Sequence, residues 1–443
     1  MDYSKRIEKI LRRRKIKVGD KVKITKGSKV IEGFLMPRIE YGEKDVLIIK
    51  LKNGYNIGIK FERGLKIEKV GKGKKIGKIP SISFRENPKL PNISIITTGG
   101  TIGTHVDYFT GGVYMCRMPE EIVATTPELL EIVNIKNVLA PFTIASEDMG
   151  KEEWIKLAKI VGKELNKKEI EGVIITHGTD TMHFTSAALS FMLQNLNKPV
   201  ILTGAQRSPD RGSFDGRLNL ICSAYSAISD IAEVGIVMHA NANDEFCYFH
   251  RGTKVRKMHT SKRDAFRSIN QTPLAKVWPN GRIEILNERY RKRDENRKVK
   301  VDAKFEEKVA LIKVYPNSDP KILEWFIERG YKGIVIEGTG LGHVPTLPLR
   351  KKNSWIPYIR KAIKNDVVVV VTSQTIYGRT HPYVYRNLRI LAKEGVVFGE
   401  DMLAEVAYVK LGWLLAHKYS VEKVKELMKK NLVGEISERS AES

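Results

Sequence analysis

NISIITTGGTIG, residues 92–103, decides the fold. Its first six residues set Ile93, Ile95 and Ile96 among small polar side chains, so that apolar groups fall on both faces as in a buried strand, and Thr98, two glycines and Thr101 follow. The same order recurs downstream. GVIIT (172–176) runs into THGTDTM (176–182), KPVILTG (198–204) into GAQRSPD (204–210), and VGIVMHA (234–240) is a further apolar strand. Between them lie helical stretches such as EEWIKLAKIVGKEL (152–165) and SAALSFMLQNL (186–196). Continuous apolar strands alternating with helices predict an α/β fold with a parallel sheet covered on both faces. A charged segment, NERYRKRDENRKVKVDAKFEEK (287–308), then reads as a solvated interdomain linker. Beyond it VALIKVY (309–315), GIVIEG (333–338) and DVVVVVT (366–372) predict a second parallel sheet, closed by helices to about residue 430.

Upstream of residue 86 the pattern differs. Residues 1–15 suggest a short basic helix with Ile7, Ile10 and Leu11 on one edge. KVKIT (21–25), KVIEGFL (29–35), DVLIIKL (45–51) and NIGIKF (56–61) read as short strands separated by turns, which predicts a small all-β, SH3-like barrel. GKGKKIGKIPS (71–81) reads as a flexible basic linker; Ile76 stands where a dinucleotide-binding loop needs its third glycine. The expected domains are therefore 1–85 (basic barrel and linker), 86–286 (first α/β domain), 287–308 (linker) and 309–443 (second α/β domain).

The chain of 443 residues carries a net charge of +26, and residues 1–80 hold 24 Lys or Arg against 9 Asp or Glu, a net of +15. A basic field concentrated at one end attracts polyanions through counterion release. The alternative is a solubilising surface on a heat-adapted protein, since Lys/Glu enrichment and scarce amides, only four Gln here, also mark thermophile proteins. Apolar runs such as Val367–Val371 are far too short to span a membrane, and MDYSKRIEKILRRRK lacks the apolar core of a secretory signal. Three scattered cysteines, Cys116, Cys222 and Cys247, argue against a disulfide framework or a thiolate zinc site. A cytoplasmic location is expected.

Ligands of parallel α/β sheets gather at the carboxyl ends of the strands. The loops found there contain no Walker-type phosphate motif, and His177 and His183 lack metal-ligand spacing, so no metal is expected. What the loops offer is hydroxyls. A threonine becomes a nucleophile when a base takes its proton and donors hold the oxyanion. Thr101 after Gly99 and Gly100 is placed for this, and Thr179 with Asp180 repeats the pattern. Helix capping is the alternative role of each. Two such loops at adjacent strand ends favour acyl transfer.

TGGTI (98–102), the TGG-V element after Tyr108 (110–113), ASEDM (145–149), THGTDTM (176–182), GAQR (204–207) and GTKVRKMHTSKRDAFRS (252–268) resemble, in order and spacing, the motif set of the bacterial-type L-asparaginases. The resemblance spans about residues 90–430 and implies an asparaginase-like pair of α/β domains. With the basic barrel in front, it is closest to one branch: the glutaminase subunits of archaeal glutamyl-tRNA(Gln) amidotransferases. Residue by residue, it implies Thr101 as nucleophile with Tyr108 beside it, and Thr179, Asp180 and Lys257 as a second triad. Neighbouring cations (Lys254, Arg256, Lys262, Arg263) are expected to help lower the pKa of Lys257. Ser146 and Glu147 match the grip on the substrate's α-carboxylate and α-amino groups, with Glu147 where many bacterial asparaginases have Gln. A residue of a neighbouring subunit is also implied. Glu400, Asp401 and Glu405 lie in the corresponding region, the start of a capped helix being their alternative.

The implied reaction is glutamine hydrolysis, with asparagine as a further candidate substrate. The ammonia is supplied to a partner subunit that amidates Glu-tRNA(Gln) to Gln-tRNA(Gln) with ATP and Mg. No cofactor is expected on this chain, and a homodimer within a heterotetramer is implied. The rivals are a free-standing L-asparaginase/glutaminase with an accessory domain, and an RNA-binding scaffold on a decayed enzyme fold.

Overall fold

The computed structural model describes residues 3–38, 43–52, 56–72, 87–106, 113–115, 125–209 and 212–440. Five antiparallel strands form the N-terminal sheet, in the order Asn56–Lys60, Val46–Lys50, Lys29–Leu35, Lys21–Lys26 and Lys66–Gly71. Sequence reading found the first four by their alternation. The fifth, KIEKVG, has one buried position, Ile67, and so carried no periodic signal. Val22, Ile24, Leu35, Leu47 and Ile49 fill the interior, and helix Lys5–Arg13 adds Ile7 and Leu11. Each such side chain contributes about 1.5–3 kcal/mol on burial. The basic linker reading of 71–81 falls, from residue 73, outside the described residues.

An eight-stranded sheet follows. Its parallel part runs Val234–His239, Val200–Thr203, Gly172–Thr176, Asn92–Thr97, Asn134–Leu139, extended at one side by antiparallel strands Cys247–Arg251, Ala275–Val277 and Ile283–Ile285. Helices Lys151–Leu165 and Met182–Met192 cover one face and Gly216–Ala227 the other. The second helix starts and stops four residues earlier than its sequence suggested, because Leu193–Gln194 leave it to pair with Lys300–Val301.

Four parallel strands, Val309–Lys313, Gly333–Gly338, Val368–Ser373 and Val397–Phe398, make the second sheet. One face packs on helices Ile356–Lys364 and Arg386–Lys393. The other shares a continuous core with the first α/β domain, since helix Ala404–Leu415 lies against Met182–Met192. Two parallel α/β domains thus follow a small strand-rich domain, the architecture that the motif resemblance implies.

The segment 287–308 is held against both α/β domains, Trp413 Nε1 donating to the Asp302 carbonyl at 3.0 Å on the side of the second, while much of its charged surface stays exposed. Arg293 donates to Glu171 (2.5 Å) and to the Ser229 carbonyl (3.0 Å), Asn166 clasps both backbone groups of Val299 (3.0 and 2.9 Å), and Phe305 meets Trp154 edge-on at 5.3 Å. Its charge density hid this, because the contacts rest on a few arginine and apolar side chains. No helix among the described residues is long and apolar enough to cross a membrane.

Candidate active site

Three loops converge where the parallel strands end. Thr97 pairs with Thr176 in register, so the chain beyond each strand emerges at the same level. The Thr98 N–H and hydroxyl both donate to the Thr176 carbonyl at 3.0 Å, and the Thr98 carbonyl accepts from Ile144 N–H at 3.1 Å. Gly99 and Gly100 then take φ of 113° and 90°, a conformation open to glycine, and Thr101 opens a single 3-10 turn. A Cβ on Gly100 would lie 2.5 Å from the Gly178 nitrogen, and one on Gly178 only 2.8 Å from Ser146 Cβ. Glycine at both positions lets the Thr101 loop, the Thr179 loop and Ser146 touch. Gly204 does the same for the third loop, since its Cβ would meet Thr179 Cγ2 at 3.0 Å.

The second loop is held from behind. His177 Nδ1 donates to the Gly178 carbonyl (2.6 Å), so Nε2 accepts from the Thr185 hydroxyl (2.8 Å), which in turn accepts from Trp154 Nε1 (3.1 Å). Burial pushes the His177 imidazole down to about 4, and it stays neutral as a prop. Asp215, fully buried, accepts from the N–H groups of Gln206 (3.0 Å) and Arg207 (2.9 Å) and thereby turns the third loop. Sequence reading did not single out Asp215, an acid just before helix Gly216–Ala227.

Lys257 arrives from elsewhere in the chain. It ends strand Val255–Lys257, which pairs antiparallel with Phe266–Ser268, and its ammonium donates to Thr179 Oγ1 (2.8 Å) and Asp180 Oδ1 (2.7 Å). The lysine side chain is 9% exposed while Asp180 is 68% exposed. The capping alternative for Asp180 is not what the carboxylate does: helix Met182–Met192 has Thr181 at its N-cap without a side-chain bond, and the Thr181 hydroxyl goes to the Ser146 carbonyl (2.6 Å). With Lys257 donating to it, the Thr179 hydroxyl keeps its own proton for another acceptor.

Thr101 is half-buried in the first loop, Ser146 is buried, and Glu147 is exposed beside it with its carboxylate 3.5 Å from the Ser146 hydroxyl. Tyr108 and residues 110–112 of the TGG-V element lie outside the described residues. The cations near Lys257 do not form the positive cluster expected from sequence. Lys254 faces Asp401 (2.7 Å), Arg256 approaches Glu405 (3.5 Å) and Arg263 faces Asp244 (2.7 Å). Asp401 and Glu405 therefore point back into their own chain, and Glu400 lies 3.6 Å from Arg379. His183 is buried beside Glu405, 3.7 Å away, and burial together with Arg256 drives its imidazole down to about 3. Among the described residues no three His, Cys, Asp or Glu side chains group as a metal site.

Residues 92–291 match the family described as "Asparaginase, N-terminal", 308–428 the "Glutaminase/Asparaginase C-terminal domain" and 16–70 the "GatD N-terminal domain". The D subunit of the glutamyl-tRNA(Gln) amidotransferase of Pyrococcus horikoshii is 51% identical over 437 residues, 98% of either chain. That of Methanopyrus kandleri is 45% identical over 442 residues, 98% of this chain and 95% of that one. The chain belongs to the family of glutamyl-tRNA(Gln) amidotransferase D subunits. Among solved structures, the thermostable L-asparaginase from Thermococcus kodakarensis superposes with a TM-score of 0.68 at 27% identity, covering 78% of this chain and 99% of its own. L-asparaginase I from Vibrio cholerae gives 0.66 at 28% identity over 79% and 99%. The amidotransferase relatives thus match nearly the whole chain, barrel included, where these asparaginases match about four fifths of it.

Proposed function

We propose that this chain is the glutaminase subunit of a tRNA-dependent amidotransferase. Thr101 Oγ attacks the side-chain carboxamide of glutamine, loop N–H groups hold the tetrahedral oxyanion, and the C–N bond breaks. The proton lost by Thr101 passes to Thr179 as Thr179 hands its own to Lys257, which enters this step as the neutral amine held by Asp180, and goes on from there to the departing nitrogen, which leaves as ammonia. Water then cleaves the glutamyl ester and restores the threonine. Ser146, Glu147 and Asp180 hold the α-carboxylate and α-amino groups, and Tyr108 supports the nucleophile. The observation that carries this reading is the contact of Lys257 with Thr179 and Asp180 beside the Gly100–Gly178 junction, which sets an amine and a hydroxyl next to the Thr101 loop.

The ammonia serves a partner subunit that binds ATP and Mg and converts Glu-tRNA(Gln) to Gln-tRNA(Gln), and this chain binds no cofactor of its own. The assembly is a cytoplasmic heterotetramer built on a homodimer of this chain, adapted to heat. The basic barrel meets tRNA or the partner. The match of the amidotransferase relatives across 98% of the chain favours this over a free-standing asparaginase. A coupled assay tests it: with partner, ATP and mischarged tRNA, glutamine should support Gln-tRNA(Gln) formation. Failure to do so, with amide hydrolysis unaffected by the partner, would return the protein to the free-standing class.

A further inference from the structure

The strand that carries Lys257 has a second set of partners. Lys257 turns to Thr179, while Lys254, at the bend just before the strand, and Arg256, on it, turn toward the second α/β domain. Lys254 and Asp401 form an ion pair at 2.7 Å with both side chains fully buried. Arg256 Nε lies 3.5 Å from the carboxylate of Glu405, whose side chain is also buried. Asp401 is itself fixed, since its other oxygen accepts from Ser437 N–H at 2.9 Å. The return strand is pinned as well. Asn270 exchanges two hydrogen bonds with Gly378 (2.9 and 2.8 Å) and donates to the Asp401 carbonyl (3.2 Å), and the Thr253 hydroxyl donates to the Val433 carbonyl (3.3 Å).

We infer that Asp401 and Glu405 are positioning residues that set Lys257 against Thr179 from within the same chain, by holding Lys254 and Arg256. The inference rests on the reading of Lys257 as part of the proton relay. Among the described residues strand Val255–Lys257, three residues long, pairs with Phe266–Ser268 alone, so the hairpin has little sheet of its own to fix it. Its register toward Thr179 comes from the far side. The fully buried, hydrogen-bonded Lys254–Asp401 pair gives that side a defined geometry, and the looser approach of Arg256 to the buried Glu405 carboxylate adds to it. The arrangement makes the second domain part of the active-site frame even though neither carboxylate contacts the Thr179 hydroxyl or the Lys257 amine.

Three variants of the full chain test this by ammonia release from glutamine. Asp401→Asn keeps the shape and the Ser437 acceptor but removes the charge facing Lys254; Arg256→Ala removes the Glu405 partner; Arg256→Lys restores a cation. The expected result is a fall in kcat of about ten-fold or more for Asp401→Asn and Arg256→Ala, as for reacting groups displaced by a fraction of an ångström. KM should stay within about two-fold, since substrate grip is elsewhere, and Arg256→Lys should recover most of the loss. Should Asp401→Asn fail to fold, the Arg256 pair decides, because that side chain is partly exposed. Wild-type kcat in folded Arg256→Ala and Asp401→Asn beside an inactive Lys257→Met overturns the positioning role alone. So does a loss confined to KM, or one that Arg256→Lys leaves unrepaired. A wild-type chain inert toward glutamine, or a Thr101→Val variant as fast as wild type, overturns the glutaminase reading and the inference with it.

Discussion

Gly100 and Gly178 meet backbone to backbone: a single methyl group on Gly100 would sit 2.5 Å from the Gly178 nitrogen and 2.7 Å from its Cα. Two loops whose glycines lie 78 residues apart in sequence are thereby fused into one surface, with a threonine following each glycine. Gly100→Ala has to bear both a φ of 90° and this overlap. The backbone strain alone costs roughly 1–3 kcal/mol. Its melting temperature should fall, and turnover of glutamine should fall further than the stability loss explains because the two loops are forced apart. Calorimetry and an ammonia assay on the same preparation separate the effects; unchanged turnover would mean that the junction between the loops is dispensable.

Lys257→Met should slow ammonia release severely and Thr101→Val should abolish it, for different reasons. The first removes the amine that bonds Thr179 at 2.8 Å, and the second removes the attacking oxygen. Loss of a proton-relay group is worth about 10²–10⁴-fold. Hydroxylamine trapping of the glutamyl ester distinguishes them: a slow trapped signal is expected from Lys257→Met and none from Thr101→Val. Wild-type speed in Lys257→Met removes that residue from the chemistry.

Three buried histidines should make the protein sensitive to mild acid. Burial holds His177 near 4 and His183 and His250 near 3, against an ordinary value of 6.5. The unfolded chain therefore binds more protons than the folded one below about pH 6.5. Stability from these groups is complete above that pH and is lost as pH falls toward about 4, each contributing up to about 1.36 kcal/mol per pH unit. Melting temperatures at pH 7, 6 and 5 should drop progressively, and His183→Gln should flatten the curve. A pH-independent melting temperature in wild type would contradict neutral burial.

Removing residues 1–85 should leave glutamine hydrolysis intact and weaken RNA binding. Residues 1–80 carry a net +15, and the barrel has a core of its own. The slope of log affinity against log salt should become shallower, by about one for each phosphate that is no longer neutralised. An unchanged slope would place the electrostatic footprint on the α/β domains.

Much of this architecture was legible in the sequence. Strands such as NISIIT and GVIIT announced themselves because both faces are buried, and the glycine and threonine punctuation after them marked the loops that meet in space. Asn134–Leu139 went unseen because NIKNVL is half polar at the sheet edge, where Asn134 satisfies the backbone of Asn87 and Leu90 instead of packing. Within the site, Thr179, Asp180 and Lys257 were grouped by resemblance, and their side chains stand within hydrogen-bonding distance of the Lys257 amine. The surroundings of Lys254 and Arg256 were misread. A run of cations looks like one positive field on paper, whereas Lys254, at the bend before the strand, and Arg256, on it, turn to carboxylates more than 140 residues away.

The single apolar core that joins helix Met182–Met192 to Ala404–Leu415 has a thermodynamic corollary. The two α/β sheets cannot swing apart as a hinged clamshell without exposing that core to water. On heating, both sheets should melt together in one calorimetric step.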